Sequence, residues 1–88
     1  MRFFSIHREL DSIRRQLRLG NRQVRQEQLQ QYAVDGTLPT DALTLAYVNL
    51  AQAALDAMNS SVGGGDHEAA CERYSVALSD WQRACRGA

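Results

Sequence analysis

The stretch that most constrains this chain runs from Leu38 to Asn59, opened by Pro39-Thr40-Asp41 and apolar on nearly every side. Leu43, Tyr47, Leu50, Ala54 and Ala57 repeat with 4-3-4-3 spacing along one flank, and Leu45, Val48, Leu55 and Met58 line a second. That period is helical, and a helix apolar on two flanks is stable only with neighbours on both. A thin polar seam, Asn49, Gln52, Asp56 and Asn59, leaves one strip for water. The stretch therefore predicts a central helix over about 39–59, with the rest of the chain packed around it.

With 88 residues the chain is expected to form a single domain. A domain this small buries only about 60% of its unfolded surface, so its core has little in reserve. One proline, six glycines gathered at a few junctions and long Ala/Leu/Gln/Arg segments favour helix over strand. The expected fold is all-α, a small three- to four-helix bundle.

Phe3, Ile6, Leu10, Ile13 and Leu17 repeat with 3-4-3-4 spacing, a heptad seam that predicts a first helix over about 3–18. Gly20-Asn21 pairs a helix-ending glycine with a helix-starting asparagine and predicts a break there. The same register also reaches Gly20 and Val24, so one kinked helix continuing to about Val34 is the alternative. The Gln-rich run from Arg22 to Val34 has a thin apolar face, Val24, Leu29 and Tyr32, and predicts a short helix ended by Asp35-Gly36. Asn59-Ser60-Ser61-Val62-Gly63-Gly64-Gly65 has the composition of a flexible linker. Asp66 is then suited to cap a last helix over about 67–86, whose Cys71, Tyr74, Leu78, Trp81 and Cys85 form a second seam. The two long helices are thus expected to make an antiparallel hairpin.

At this hairpin, residues 43–80, the sequence resembles a tetratricopeptide repeat. Tyr47, Leu50, Ala51 and Ala54 are similar to that family's first-helix positions, and Gly65-Asp66 followed by Ala70, Tyr74, Ala77 and Leu78 to its turn and second helix. The resemblance implies a pair of packed helices of the kind that binds peptides or other proteins. A single copy stands here, with a longer turn and no closing proline.

Formal net charge is zero, but residues 1–25 hold seven Arg against Glu9 and Asp11, whereas residues 26–88 hold three Arg against eight acids. On the first helix and its continuation, Arg8, Arg15 and Arg22 share one heptad position and Arg18 and Arg25 its neighbour, a basic stripe opposite the apolar seam. A solvated face is the plain explanation of such a stripe. Recognition of an acidic protein surface is the functional one. Nucleic-acid binding ranks behind it, because no exposed aromatics interleave to stack on bases.

Cys71 and Cys85, if they share one helix, lie roughly 21 Å apart, whereas a disulfide needs Cα atoms within about 7 Å. Two reduced thiols are therefore expected. His67 and Cys71 stand one helical turn apart and could offer two zinc ligands, but a third would have to come from His7 or from an acid of unknown position. The residues read more simply as a first-turn histidine beside a core thiol, with no metal and no cofactor. Gly63-Gly64-Gly65 lacks the Lys-Ser/Thr of a phosphate loop. No nucleophile with a base and no carboxylate pair is legible, so no enzyme is expected.

Charge interrupts the first residues before a signal-peptide core can form, and no apolar run reaches the roughly 18 residues of a membrane span, so a cytoplasmic location is expected. The expected function is a small non-enzymatic protein–protein interaction module, an adaptor, chaperone or inhibitor of the size and style found in phages and plasmids. It would bind a protein partner with an acidic surface through Arg8, Arg15, Arg18, Arg22 and Arg25. The alternative is a nucleic-acid-binding accessory protein using the same stripe, and pairing of two copies as a homodimer is a further expectation.

Overall fold

A computed structural model of the protein describes residues 2–63 and 67–87, with side chains described for 8–60 and 67–87. The chain forms four helices, α1 (Arg2–Asn21), α2 (Gln26–Asp35), α3 (Ala42–Gly63) and α4 (His67–Gly87). The described residues contain no strand. The all-α bundle expected from composition and periodicity is the observed fold. Its principal extents are 40 × 28 × 18 Å.

α3 and α4 make the dominant packing pair, with α1 packed mainly on α3. The side chains at their interface explain the closeness: Ala54, Ala57 and Ala70 are 0%, 0% and 1% exposed, so backbones meet over methyl groups. Leu50, Tyr74 and Trp81 fill the space on either side. Trp81 meets the ring of Tyr47 edge to face, centroids 5.7 Å apart. This quadrupole-favoured geometry anchors α4 on the first half of α3.

The expected break between the first two helices is present, but α1 runs further than its expected end. Its helix does not end at Leu17 or Arg18 but runs through Gly20 to Asn21, and it does not continue to Val34. Ile13, Gly20 and Val24 are buried and Leu17 is half-buried, so the heptad register persists past the helix end. Gly20 is buried because the Tyr47 ring lies on its backbone. A methyl group there would stand 2.9 Å from two carbons of that ring and 3.1 Å from Trp81. The glycine is a contact surface, not a terminator. A turn closed by Gln23 N–H to Gly20 O then carries the chain out of the helix.

The second helix starts later than expected, at Gln26, and Asn21 does not cap it. Arg25 holds the cap position without a side-chain bond, its N–H given instead to Thr44 Oγ1 of α3 at 3.2 Å. The end is as expected: Gly36 takes a left-handed φ of 78° and returns its N–H to Tyr32 O.

The start of α3 is closed by Asp41, whose Oδ2 accepts from Thr44 N–H at 3.0 Å and Thr44 Oγ1 at 2.8 Å. Thr44 is completely buried with its hydroxyl both donating and accepting. Gln28 of α2 accepts from the N–H groups of Thr40 and Asp41, and Gln52 donates to the Tyr32 hydroxyl. Two residues of the Gln-rich helix are thereby spent on holding it against α3.

Two expectations for α3 need correction. Both α1 and α4 pack on its Tyr47, Leu50, Ala54 flank, since Ile13 and Trp81 belong to one core cluster with these residues. Of the second flank, expected to be covered by a neighbour, Val48 is buried but Leu55 is 55% exposed. The expected linker at 59–65 is helical through Gly63. Its helix is held by Ser60, whose hydroxyl donates to Ala57 O and meets His67 of α4. Such tertiary ties outweigh the weak helix propensity of Ser and Gly, worth less than about 1 kcal/mol per residue. Gly64, Gly65 and Asp66, with the cap expected of Asp66, lie outside the described residues. The polar seam, Asn49, Gln52, Asp56 and Asn59, is exposed throughout as its spacing requires.

Candidate functional site

Helical geometry turns 100° per residue, which puts Arg8, Arg15 and Arg18 on the side of α1 opposite Ile13, Leu17 and Gly20. All three are exposed. Arg22 and Arg25 do not extend this row helically, because α1 ends at Asn21 and both stand on the connection to α2. Arg22 is exposed, and Arg25 turns to α3, its Nε 4.0 Å from Asp41 Oδ1. The five arginines thus divide into three on one helix face, one just past its end, and one exposed beside Asp41 of the α3 start. Among the described residues, Arg8, Arg15, Arg18 and Arg22 form no ion pair, while neighbouring Arg14 meets Asp11 at 3.8 Å.

The hydrogen bonds of Thr44, through its hydroxyl and then its N–H, hold the Asp41 carboxyl below the usual carboxylate range, with Arg25 adding attraction. Asp35 is lowered by its bonds with Thr37 and then Gln31. These are the acids that order the two ends of the α2–α3 connection.

A second group of polar residues gathers where α1 meets the start of α4. His67 Nε2 lies 3.7 Å from Glu9 Oε2 of α1 and 3.4 Å from Cys71 Sγ. All three donor atoms fall within 4.8 Å of one another. Glu9 is the acid whose position the sequence left open: its distance along the chain hides it, and only the crossing of α1 over α4 reveals it. The His7 side chain lies outside the described residues. Burial pushes the Cys71 thiol up, with the Glu9 charge adding to it, and burial alone pushes up Cys85. Both cysteines are free, as their separation on one helix demands.

The membrane criterion is also met: among the described residues no helix is long and apolar enough to cross a bilayer. No protein-family model matches the chain, and neither does any curated protein or solved structure.

Proposed function

We propose that the protein is a non-enzymatic interaction module that binds an acidic protein surface through the Arg8, Arg15, Arg18 face of α1, with Arg22 at its edge. The observation that carries this reading is the row of exposed guanidinium groups without an acidic partner among the described residues, beside Arg14 and Arg25, which have one. Fixed on a helix whose other side is locked by Gly20 against Tyr47, such a row offers planar, bidentate donors for carboxylates. The resemblance of the α3–α4 hairpin to a tetratricopeptide repeat points to the same class of function.

Capture of partners from host lysate with tagged protein, with and without nuclease, tests the reading. A protein partner retained after nuclease treatment supports it. Capture that nuclease abolishes, together with a salt-sensitive shift of a labelled duplex or single strand, replaces it with nucleic-acid binding, because every neutralised phosphate releases counterions.

A further inference from the structure

We propose that Glu9, His67 and Cys71 form a zinc site that ties α1 to α4. Two observations carry it. The first is spacing. Tetrahedral zinc with S, N and O ligands at about 2.0–2.3 Å holds its donor atoms about 3.4–3.6 Å apart. Two of the three separations are close to this, 3.4 Å from Cys71 Sγ to His67 Nε2 and 3.7 Å from His67 Nε2 to Glu9 Oε2, and the third, from Cys71 to the Glu9 carboxylate, is within 4.8 Å.

The second is an oxygen on the far ring nitrogen. Ser60 Oγ lies 3.0 Å from Ala57 O and 3.1 Å from His67 Nδ1. An oxygen held against one ring nitrogen, leaving the other for a metal, is how metal-binding histidines are fixed. Cys71 Sγ lies 3.9 Å from Nδ1 as well as 3.4 Å from Nε2, so the sulfur sits beside the ring, and coordination through Nε2 turns the imidazole towards it.

One thiolate, one imidazole and one carboxylate suit zinc better than magnesium or calcium, which take oxygen ligands. On binding, the Cys71 thiol releases its proton to solvent as the Zn–S bond forms, Nε2 gives its lone pair, and Glu9 supplies an anionic oxygen. Three protein ligands leave the fourth position to water. The ion would fix the Glu9 turn of α1 to the α3–α4 hairpin, one residue from Arg8.

Cobalt(II) titration of the reduced full chain provides the test. The expected result is one equivalent bound, a near-ultraviolet thiolate-to-cobalt band, and displacement of that band by zinc. Cys71→Ser should lose the band and Cys85→Ser should keep it. Glu9→Gln alters an exposed side chain without touching the core and should weaken binding tenfold or more, and Ser60→Ala about 10–100-fold. Zinc should also raise the melting temperature of the wild type and not of Cys71→Ser, since the assembled site exists only in the folded chain. Saturation without a thiolate band, or equal affinity in wild type and Glu9→Gln, would overturn the site and leave His67 and Glu9 as a polar contact only.

Discussion

The ring of Tyr47 packs so closely on Gly20 that an added methyl group would stand 2.9 Å from two of its carbons, and its hydroxyl donates to Leu17 O at 2.8 Å. One residue of α3 thus grips α1 twice, through its ring and through a hydrogen bond.

Gly20→Ala sets two effects against each other. Alanine gains about 1 kcal/mol of helix propensity over glycine. Its methyl group, however, would meet two buried rings at 2.9 and 3.1 Å, and overpacking a filled core costs about 1–3 kcal/mol. Because neither ring is the loose end of a flexible chain, packing should win. Urea denaturation is expected to show a net loss of stability, and a more stable variant would contradict the close approach.

Trp81 is 3% exposed and touches both Tyr47 and the Gly20 site. Its replacement by Ala should cost about 3–5 kcal/mol, a large part of the roughly 5–15 kcal/mol that holds a typical domain together. Calorimetry should find a much lower melting temperature or no cooperative transition. An unchanged melting temperature would remove Trp81 from the centre of the core.

The Tyr74 hydroxyl is buried without a hydrogen-bond partner among the described residues, and desolvation pushes its pKa up. Removing an unsatisfied buried hydroxyl carries little cost, since the desolvation it required disappears with it. Tyr74→Phe should therefore be as stable as the wild type or up to about 1 kcal/mol more stable. A loss of stability on chemical denaturation would contradict that assignment.

Asp41 supplies the acid dependence. Its pKa is depressed in the folded protein by Thr44 and Arg25, so its stabilisation is complete above the ordinary carboxylate value of about 4 and is lost as pH falls through the lower native value. Asp41→Asn keeps an oxygen to cap α3 but cannot titrate. Its melting temperature should fall less steeply than that of the wild type as the solution is acidified below about pH 4. Parallel acid limbs for the two proteins would contradict the assignment.

Much of this fold is legible in residue spacing. The seam of Ile13, Leu17, Gly20 and Val24, the polar strip on α3, the burial of Tyr74 and Trp81 and the Asp35-Gly36 cap all follow from period and turn chemistry. What escapes the sequence is what depends on a distant partner. Glycine ends helices and also admits close neighbours, and nothing local to Gly20 says that Tyr47 chooses the second role. Ser60 reads as linker until His67 stands beside it, and the flank of Leu55 reads as covered until α1 is seen to settle on the other side. The arginine row is legible up to Arg18; its extension to Arg22 and Arg25 assumed a helix that Asn21 ends. Glu9 could not be joined to His67 and Cys71 by any spacing rule, because the two helices that bring them together are the first and the last.

The exposed arginines of α1 are the proposed binding surface. Its most direct measurement compares wild type with the Arg8→Gln, Arg15→Gln, Arg18→Gln triple variant in nuclease-treated capture from host lysate, after circular dichroism and melting show both equally folded. Substitutions on an exposed face should leave stability within about 0.5 kcal/mol. The expected result is a protein partner held by the wild type and at least tenfold depleted on the variant. Equal recovery on both would show that this face is only solvated.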